Sequence, residues 1–197
     1  MIAKRMFDML VSFVGLLLAA PVLAIVAGAI LVTSGWPVIF RQDRVGLNGL
    51  SFQIYKFRTM AVGHGGPNVS AAGDTRVTAV GRVLRKWKLD EAPQLINVLV
   101  GTMSLVGPRP EVPEYVAKWP NGARETILSV RPGVTDRASI EFRNEAEMLA
   151  GVEDPAEYYE RVILPRKAAI YVDYVNNRSF LEDLRIICST IGAVLRR

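Results

Sequence analysis

Residues 9–33 read MLVSFVGLLLAAPVLAIVAGAILVT, a run of 25 positions without a charged side chain. A helix of about 20 such residues is long enough to cross the hydrocarbon core of a bilayer. Pro21 lies near the middle of the run, where it removes a helical hydrogen bond and favours a bend. Two interpretations follow: a single-pass anchor that tolerates the proline, or a helix that enters, breaks at Ala20-Pro21 and returns to the same face.

The basic residues around this run do not separate the two interpretations. Positive charge normally marks the cytoplasmic flank of a membrane helix. Here it occurs on both flanks, so there is no asymmetry to orient a span. The flanking residues are Lys4, Arg5, Arg41 and Arg44.

The composition of the chain limits its chemistry. It has 197 residues, a net charge of +5 and a pI near 9.6, which favours anionic partners such as phospholipid headgroups, nucleotides or nucleic acid. The only cysteine is Cys188 and the only histidine is His64, which excludes an internal disulfide, a cysteine zinc site and a histidine-dependent triad. We find no Walker loop and no GxGxxG motif, so a P-loop NTPase or a Rossmann oxidoreductase is not indicated.

The rest of the chain predicts a small, mostly helical α+β domain. Alternating segments around Gly46 and Gly49 predict a hairpin over 36–60. The Gly-, Ser- and Pro-rich stretch 61–74 predicts a loop, and three prolines within 104–113 predict a rigid irregular loop. Helical periodicity and stop signals predict helices over 76–88, 91–100, 113–129, 144–150, 155–175 and from 180 to the end, with a turn at 131–135. The last helix is amphipathic, and both a membrane-surface position and a docked position fit its pattern.

The stretch KWKLDEAPQL, residues 86–95, places two carboxylates, Asp90 and Glu91, after a basic cluster. An aspartate at a helix start is most often a cap. Nearby cations would keep both carboxylates ionised, and an ionised carboxylate can attack phosphorus or hold a divalent cation. The cluster consists of Arg82, Arg85, Lys86 and Lys88.

Two further basic elements are candidates for phosphate contacts. Arg109 is held between Pro108 and Pro110, and a rigid loop gives a guanidinium a defined direction for bidentate binding. Lys56 and Arg58 flank Phe57 in an alternating segment. The structural alternatives are a solvated arginine in a turn and a strand with its charged face in water.

Taken together, these segments resemble the small monotopic phosphoglycosyl transferases of bacteria, the bacterial sugar transferase family, one of which initiates bacterial N-glycan assembly. The matching pieces run in family order over nearly the whole chain. They are KRMFD, the proline-interrupted apolar run, VIFRQDRVG, YKFRTM, LRKWKLDEAPQLINVLVGTMSLVGPRPE, RPGVT and YVNNRSFLEDLRII.

The resemblance implies an enzyme that transfers a phospho-sugar from a UDP-sugar to polyprenol (undecaprenyl) phosphate and releases UMP. It places the nucleophile at Asp90, which would form a covalent phospho-sugar intermediate. It implies a Mg²⁺ ion at Glu91, with Asp90 beside it, and phosphate contacts from Arg85 and Arg109. The catalytic carboxylates are thus Asp90 and Glu91, and Lys56 and Arg58 join the phosphate-binding candidates.

The family's architecture implies two parts and a location. Residues 1–34 would form a re-entrant membrane helix, and 35–197 a catalytic domain with interfacial helices on the cytoplasmic face of the bacterial inner membrane. We expect membrane lipid as a partner, no nucleic acid, and a homodimer as one possible state. The chain is expected to be a complete, minimal enzyme.

Two departures from the family pattern affect these expectations. The usual Ser-Pro break reads Ala20-Pro21 here, and the segment after RPGVT reads DRASIEFRNE, residues 136–145. That segment is implied to lie near the nucleotide or sugar, so its polar residues are candidate substrate contacts and the sugar stays open. An N-acetylated or bacillosamine-type sugar is the first expectation, and glucose or galactose the second. The candidates are Arg137, Glu141, Arg143 and Asn144.

A function of another class also fits the charge and hydropathy. It is a non-enzymatic, membrane-anchored basic module that binds acidic lipid or nucleic acid. Against it, the basic residues alternate with a carboxylate pair and a proline-held arginine instead of forming one stripe.

Overall fold

The computed structural model of the chain describes residues 2–63, 70–120 and 122–196. Within these ranges the protein is mostly helical, as predicted, with four short strands. His64 and the centre of the predicted 61–74 loop lie outside the described residues.

The first element is a single long helix, α1 (Ile2–Ser34), which contains Pro21. It is long and apolar enough to cross a membrane, with a mean hydropathy of 2.6 in its most apolar window. The predicted helix break at Ala20-Pro21 is wrong, because α1 continues as one helix through both residues. A proline removes one hydrogen bond, but its fixed φ is compatible with a helix, so a helix this long can contain it.

Both ends of α1 pack against the rest of the chain. Near its start, Lys4 Nζ contacts Asp183 Oδ2 at 2.5 Å, and Ser104 Oγ donates to Asp8 Oδ2 at 2.7 Å. Near its end, Val26 and Ile30 are buried in an apolar cluster. The helix therefore lies along the domain and is not joined to it by one end alone.

A β-hairpin follows, as predicted. Strands β1 (Ile39–Val45) and β2 (Ser51–Phe57) pair antiparallel, with Ile39 opposite Phe57. Asn48 and Gly49 turn the chain with positive φ values of 55° and 79°. The small polar residue and glycine supply the left-handed backbone that the connection requires.

The carboxylate segment lies between two short helices, α2 (Ala79–Lys86) and α3 (Gln94–Val100). Thr78 caps α2 by accepting from the N–H of Gly81 at 2.9 Å. Lys88 then adopts a left-handed φ of 56°, and Leu89–Glu91 form a single 3₁₀ turn. Asp90 thus belongs to the turn before α3 and does not cap that helix, which differs from the predicted helix start at 91.

Two strands were missed by the sequence interpretation. β3 (Ser104–Val106) and β4 (Gly133–Thr135) pair in parallel, where we predicted an irregular loop and a turn. Each strand has only three residues, too few to show an alternating pattern. They meet where Gly107 and Gly133 bring two backbones together: a Cβ on Gly133 would lie 2.1 Å from the Gly107 nitrogen.

The C-terminal part forms the largest buried core. The predicted helix over 113–129 is two short helices, because Pro120 and Gly122 interrupt it. The predicted helix over 155–175 is extended to Asn177 and contains a π turn at Tyr159–Ile163. The elements are α4 (Pro113–Val116), α5 (Ala123–Leu128), α6 (Arg137–Glu141), α7 (Glu145–Ala150), α8 (Pro155–Tyr158), α9 (Leu164–Asn177) and α10 (Phe180–Leu195).

Helix α10 is docked on the domain, which confirms one of its two predicted positions, and the membrane-surface position stays a prediction. Asp183 and Ile186 are buried against the domain, which docks the first half of the helix. Other apolar side chains of the same helix remain exposed, which leaves an apolar edge. These are Phe180, Leu181, Ile191 and Leu195.

Candidate active site

A cleft of about 2140 Å³ opens between the hairpin, α2, the 3₁₀ turn and the start of α7. The carboxylate pair lies in its wall together with the cations that the sequence singled out. The lining includes Lys56, Arg85, Asp90, Glu91 and Arg109. The fold therefore brings together residues that are up to 53 positions apart in the chain.

Glu91 is held by two cations from different elements. Arg109 donates to both carboxylate oxygens, with Nη2 2.5 Å from Oε1 and Nη1 3.3 Å from Oε2, and Lys56 Nζ lies 3.1 Å from Oε1. Burial alone would raise the pKa of Glu91, but Arg109 and Lys56 outweigh it and hold that pKa well below its usual range. Glu91 is therefore ionised at neutral pH.

Asp90 has a different environment. The residue is 8% exposed, and its Oδ1 is buried without a hydrogen-bond partner among the described residues. Burial and the neighbouring charge of Glu91 raise the pKa of Asp90, against the opposing effect of Lys56 and Lys88. The nearby cations lower the pKa of Asp90, as expected, but desolvation and the charge of Glu91 outweigh them.

Lys56 is a half-buried cation on β2, and its ammonium contacts Glu91. Burial lowers the pKa of Lys56 to about 8, although Glu91 favours its charged form. The ammonium has little solvation of its own, so its interaction with an anion in the cleft is strong.

Arg85, on the last turn of α2, is oriented by neutral partners. Its Nε donates to Thr59 Oγ1 and its Nη1 to Ser70 Oγ, both at 2.9 Å. Burial lowers the pKa of Arg85, and Asp90 and Asp74 oppose that shift. A guanidinium that is held by hydroxyl groups keeps its positive charge available for an anionic ligand.

Two neighbours of the site were missed by the sequence interpretation as functional residues, while a third, Lys88, was named there as part of the basic cluster. Lys88 acts on both carboxylates from the left-handed position before the turn. Arg44 lies 3.5 Å from Glu111 and donates to the carbonyl of Pro110 at 3.1 Å, which fixes the loop of Arg109. Glu111 also accepts from Tyr159 at 2.8 Å. The only available signal was their presence within motifs already quoted.

Arg58 lines the cleft, but the structure also gives its guanidinium a structural role that the sequence did not predict. Its guanidinium, which is buried, donates to the carbonyls of Ser34 at 2.6 Å, Gly35 at 2.7 Å and Trp36 at 3.2 Å. These groups lie at the C-terminal end of α1, so Arg58 caps that helix. We therefore leave Arg58 out of the proposed phosphate contacts.

The four candidates from 136–145 separate into two pairs. Arg143 and Asn144 line the cleft. Arg137 is paired with Glu182 and Asp173, and neither Arg137 nor Glu141 is among the lining residues. Of the four candidates, only Arg143 and Asn144 are therefore positioned to meet a ligand in the cleft.

The donor set at the carboxylate pair fits Mg²⁺ only with help from a substrate. Across the described ranges no group of three or more His, Cys, Asp or Glu side chains is placed to hold a metal ion. Mg²⁺ is commonly bound by one or two carboxylates plus substrate phosphates, with waters completing its shell. Asp90 forms no ion pair among the described residues, so its carboxylate can serve as such a ligand, and Glu91 shares its oxygens with Arg109 and Lys56.

Known proteins are similar to this chain over its whole length. The model of the family described as bacterial sugar transferase matches residues 1–197. A UDP-glucose:undecaprenyl-phosphate glucose-1-phosphate transferase of Caulobacter vibrioides is 38% identical over 205 residues, covering 98% of this chain and 69% of its own length. A Klebsiella pneumoniae protein of the same name is 38% identical, covering 97% of this chain and 40% of its own length. The sugar transferase EpsL of Bacillus subtilis is 35% identical, covering 99% and 88%.

Proposed function

The chain belongs to the bacterial sugar transferase family, and we propose that it transfers a sugar 1-phosphate from a UDP-sugar to undecaprenyl phosphate. The family and the names of its relatives make it an enzyme of the phosphoglycosyl transferase class. The observation that carries the proposal is the buried Asp90, with one unpartnered oxygen, beside a Glu91 that two cations hold ionised.

In the proposed first step, a carboxylate oxygen of Asp90 attacks the phosphorus that bears the sugar. The bond from that phosphorus to the bridging oxygen breaks, and UMP leaves with the electron pair. In the second step, a phosphate oxygen of undecaprenyl phosphate attacks the same phosphorus and releases the Asp90 carboxylate. A covalent intermediate lets one small site accept two bulky substrates in turn.

The cations around the pair suit a reaction between anions. Arg85 is available to the diphosphate, and Lys56 and Arg109 compensate Glu91 and add positive charge to the same wall. Glu91 and Asp90 would hold Mg²⁺ together with substrate phosphates. The ion would supply Lewis-acid stabilisation of the charge on the diphosphate.

We further propose that α1 does not cross the membrane. A straight helix of 33 residues is about 50 Å long, so a spanning α1 would place its ends on opposite faces of the bilayer. The contacts of Lys4 with Asp183 and of Arg58 with Ser34 join both ends to one domain. The proposed arrangement is monotopic, with both ends at the cytoplasmic face and the exposed apolar side chains of α1 in lipid.

The topology is tested with tags in sealed inverted membrane vesicles. An N-terminal tag and a C-terminal tag should both be cleaved by added protease, because both would lie on the cytoplasmic side. Protection of the N-terminal tag alone would show a span and would refute the monotopic proposal.

The reaction is tested by UMP release from a panel of UDP-sugars with Mg²⁺ and undecaprenyl phosphate. UDP-glucose comes first because two relatives are named for it, followed by UDP-galactose and N-acetylated sugars. With a UDP-sugar alone, intact-mass analysis should show a phospho-sugar adduct on the wild type and none on Asp90→Asn. Full turnover by Asp90→Asn would refute the nucleophile, and no release with any sugar would favour the non-enzymatic basic module.

A further inference from the structure

Gln94, the first residue of α3, has a side chain that the described contacts do not explain. The residue is 1% exposed, and neither its Nε2 nor its Oε1 has a hydrogen-bond partner among the described residues. Buried polar side chains are nearly always hydrogen-bonded, so an exception calls for a physical reason. Gln94 is not among the residues that line the cleft, so its role is not direct contact with a substrate.

Asp90 presents the matching group about one helical turn earlier. Leu89–Glu91 form a 3₁₀ turn, and Ala92 and Pro93 keep right-handed helical dihedrals up to the start of α3. Both Asp90 and Gln94 face the buried side of this stretch. Asp90 Oδ1 is an acceptor without a partner, and Gln94 Nε2 is a donor without one.

We propose that Gln94 is the positioning residue of Asp90, its amide donating to Oδ1 in the active enzyme, directly after a side-chain rotation or through one water. This inference rests on the proposed function. A carboxylate has two equivalent oxygens and rotates about its Cβ–Cγ bond. A hydrogen bond from the Gln94 amide to Oδ1 would fix this rotation so that Oδ2 faces the phosphorus. Such orientation accelerates attack without changing ground-state affinity.

Two other buried polar residues serve as controls. Asn97 lies on the same buried side of α3, but its amide is fully used: it accepts from Tyr55 N at 3.0 Å and donates to Gln53 O at 2.8 Å. Ser12 on α1 is as buried as Gln94, and its hydroxyl also lacks a partner among the described residues. Asn97 thus represents a structural amide, and Ser12 a second unpartnered group, on another helix.

The test compares the full-length variants Gln94→Met, Asn97→Leu and Ser12→Ala in detergent or nanodiscs. Methionine keeps the length of glutamine and removes the donor. With UDP-glucose, or the panel sugar that is turned over, we expect Gln94→Met to lower kcat about 10- to 100-fold with KM within about two-fold. Its single-turnover release of UMP without undecaprenyl phosphate should slow by the same factor. Its Tm should be unchanged or about 2–4 °C higher, since an unsatisfied buried amide is lost.

The controls decide between outcomes. Ser12→Ala should keep the wild-type kcat, and Asn97→Leu should lower Tm because two backbone groups of β2 lose their partner. Wild-type kcat in Gln94→Met overturns the inference and leaves the proposed function intact. A lower Tm with unchanged kcat, or an equal loss of kcat in Ser12→Ala, also overturns it. If the wild type releases no UMP from any sugar, the proposed function fails and this inference fails with it.

Discussion

Replacing Arg58 by methionine distinguishes a structural arginine from a phosphate ligand. The sequence alone predicted a phosphate contact, because Arg58 alternates with Lys56 around an aromatic residue. In the structure its guanidinium donates to three carbonyls at the C-terminal end of α1. Methionine keeps most of the buried aliphatic length and removes every donor. We therefore expect a loss of stability with little change in substrate affinity.

The magnitude follows from the two short hydrogen bonds, to Ser34 at 2.6 Å and Gly35 at 2.7 Å. A hydrogen bond to a charged group contributes about 1.5–3 kcal/mol net, so losing both costs about 3–6 kcal/mol. The longer contact to Trp36 and the helix dipole act in the same direction. For a chain of this size the cost corresponds to a fall in Tm of about 6–24 °C.

The assay is thermal unfolding in detergent, followed by tryptophan fluorescence, with UMP release measured below the transition. Lys56→Met is the matched control, because Lys56 is two positions away and contacts Glu91 instead of a helix end. Burial lowers the pKa of Lys56 to about 8, which shows that its ammonium is poorly solvated. Lys56→Met should therefore keep the Tm within a few degrees of the wild type and lower kcat/KM about 10- to 100-fold. An Arg58→Met protein with the wild-type Tm and a raised KM for UDP-sugar would refute the capping role and restore the original prediction.

Four further outcomes are expected. Gly133→Ala should destabilise the protein by about 1–3 kcal/mol or prevent folding, because the new Cβ would lie 2.1 Å from the backbone nitrogen of Gly107. A Tm equal to that of the wild type would contradict this close contact. Arg137→Gln should lower the free energy of unfolding by less than about 1 kcal/mol and keep the wild-type KM, because the ion pair of Arg137 with Glu182 is partly exposed. A several-fold higher KM would indicate that Arg137 contacts the substrate. Burial raises the pKa of Asp90, and only its ionised form attacks, so the rate of UMP release should still rise with pH above the ordinary pKa of an aspartate. A rate that is already constant below that pH would contradict Asp90 as the nucleophile. EDTA should abolish UMP release and added MgCl₂ should restore it, whereas full activity in EDTA would exclude the proposed Mg²⁺ requirement.

The candidate site was predictable to the extent that its residues are close in sequence or held by proline. Asp90, Glu91 and Arg85 occur within seven positions, and Arg109 is flanked by two prolines. Lys56 was also singled out, as a phosphate contact, which stays a prediction, and the fold places it against Glu91. The left-handed backbone of Lys88 and the contact of Arg44 with a distant loop were not predictable from local sequence.

The elements of the fold also differ in how far the sequence predicts them. The hairpin and the longer helices follow from local periodicity, turn residues and stop signals, which the chain carries within each segment. Strands β3 and β4 do not, because three residues show no period and their parallel pairing joins segments 29 positions apart. Pro120 and Gly122 are helix-breaking residues, although the helical pattern on both sides of them predicts one continuous helix.

An apolar N-terminal helix, a basic chain with a carboxylate pair, and the family motifs could all be predicted from the sequence. Local composition is enough for these, since hydropathy, charge and turn chemistry act over a few residues. The function of each charged side chain depends on the folded arrangement. Lys56 and Arg58 are two positions apart, yet one meets Glu91 and the other caps α1. Asp90 and Glu91 are adjacent, yet their pKa values shift in opposite directions. The reason is that desolvation and ion pairing depend on which distant groups the fold places around a side chain.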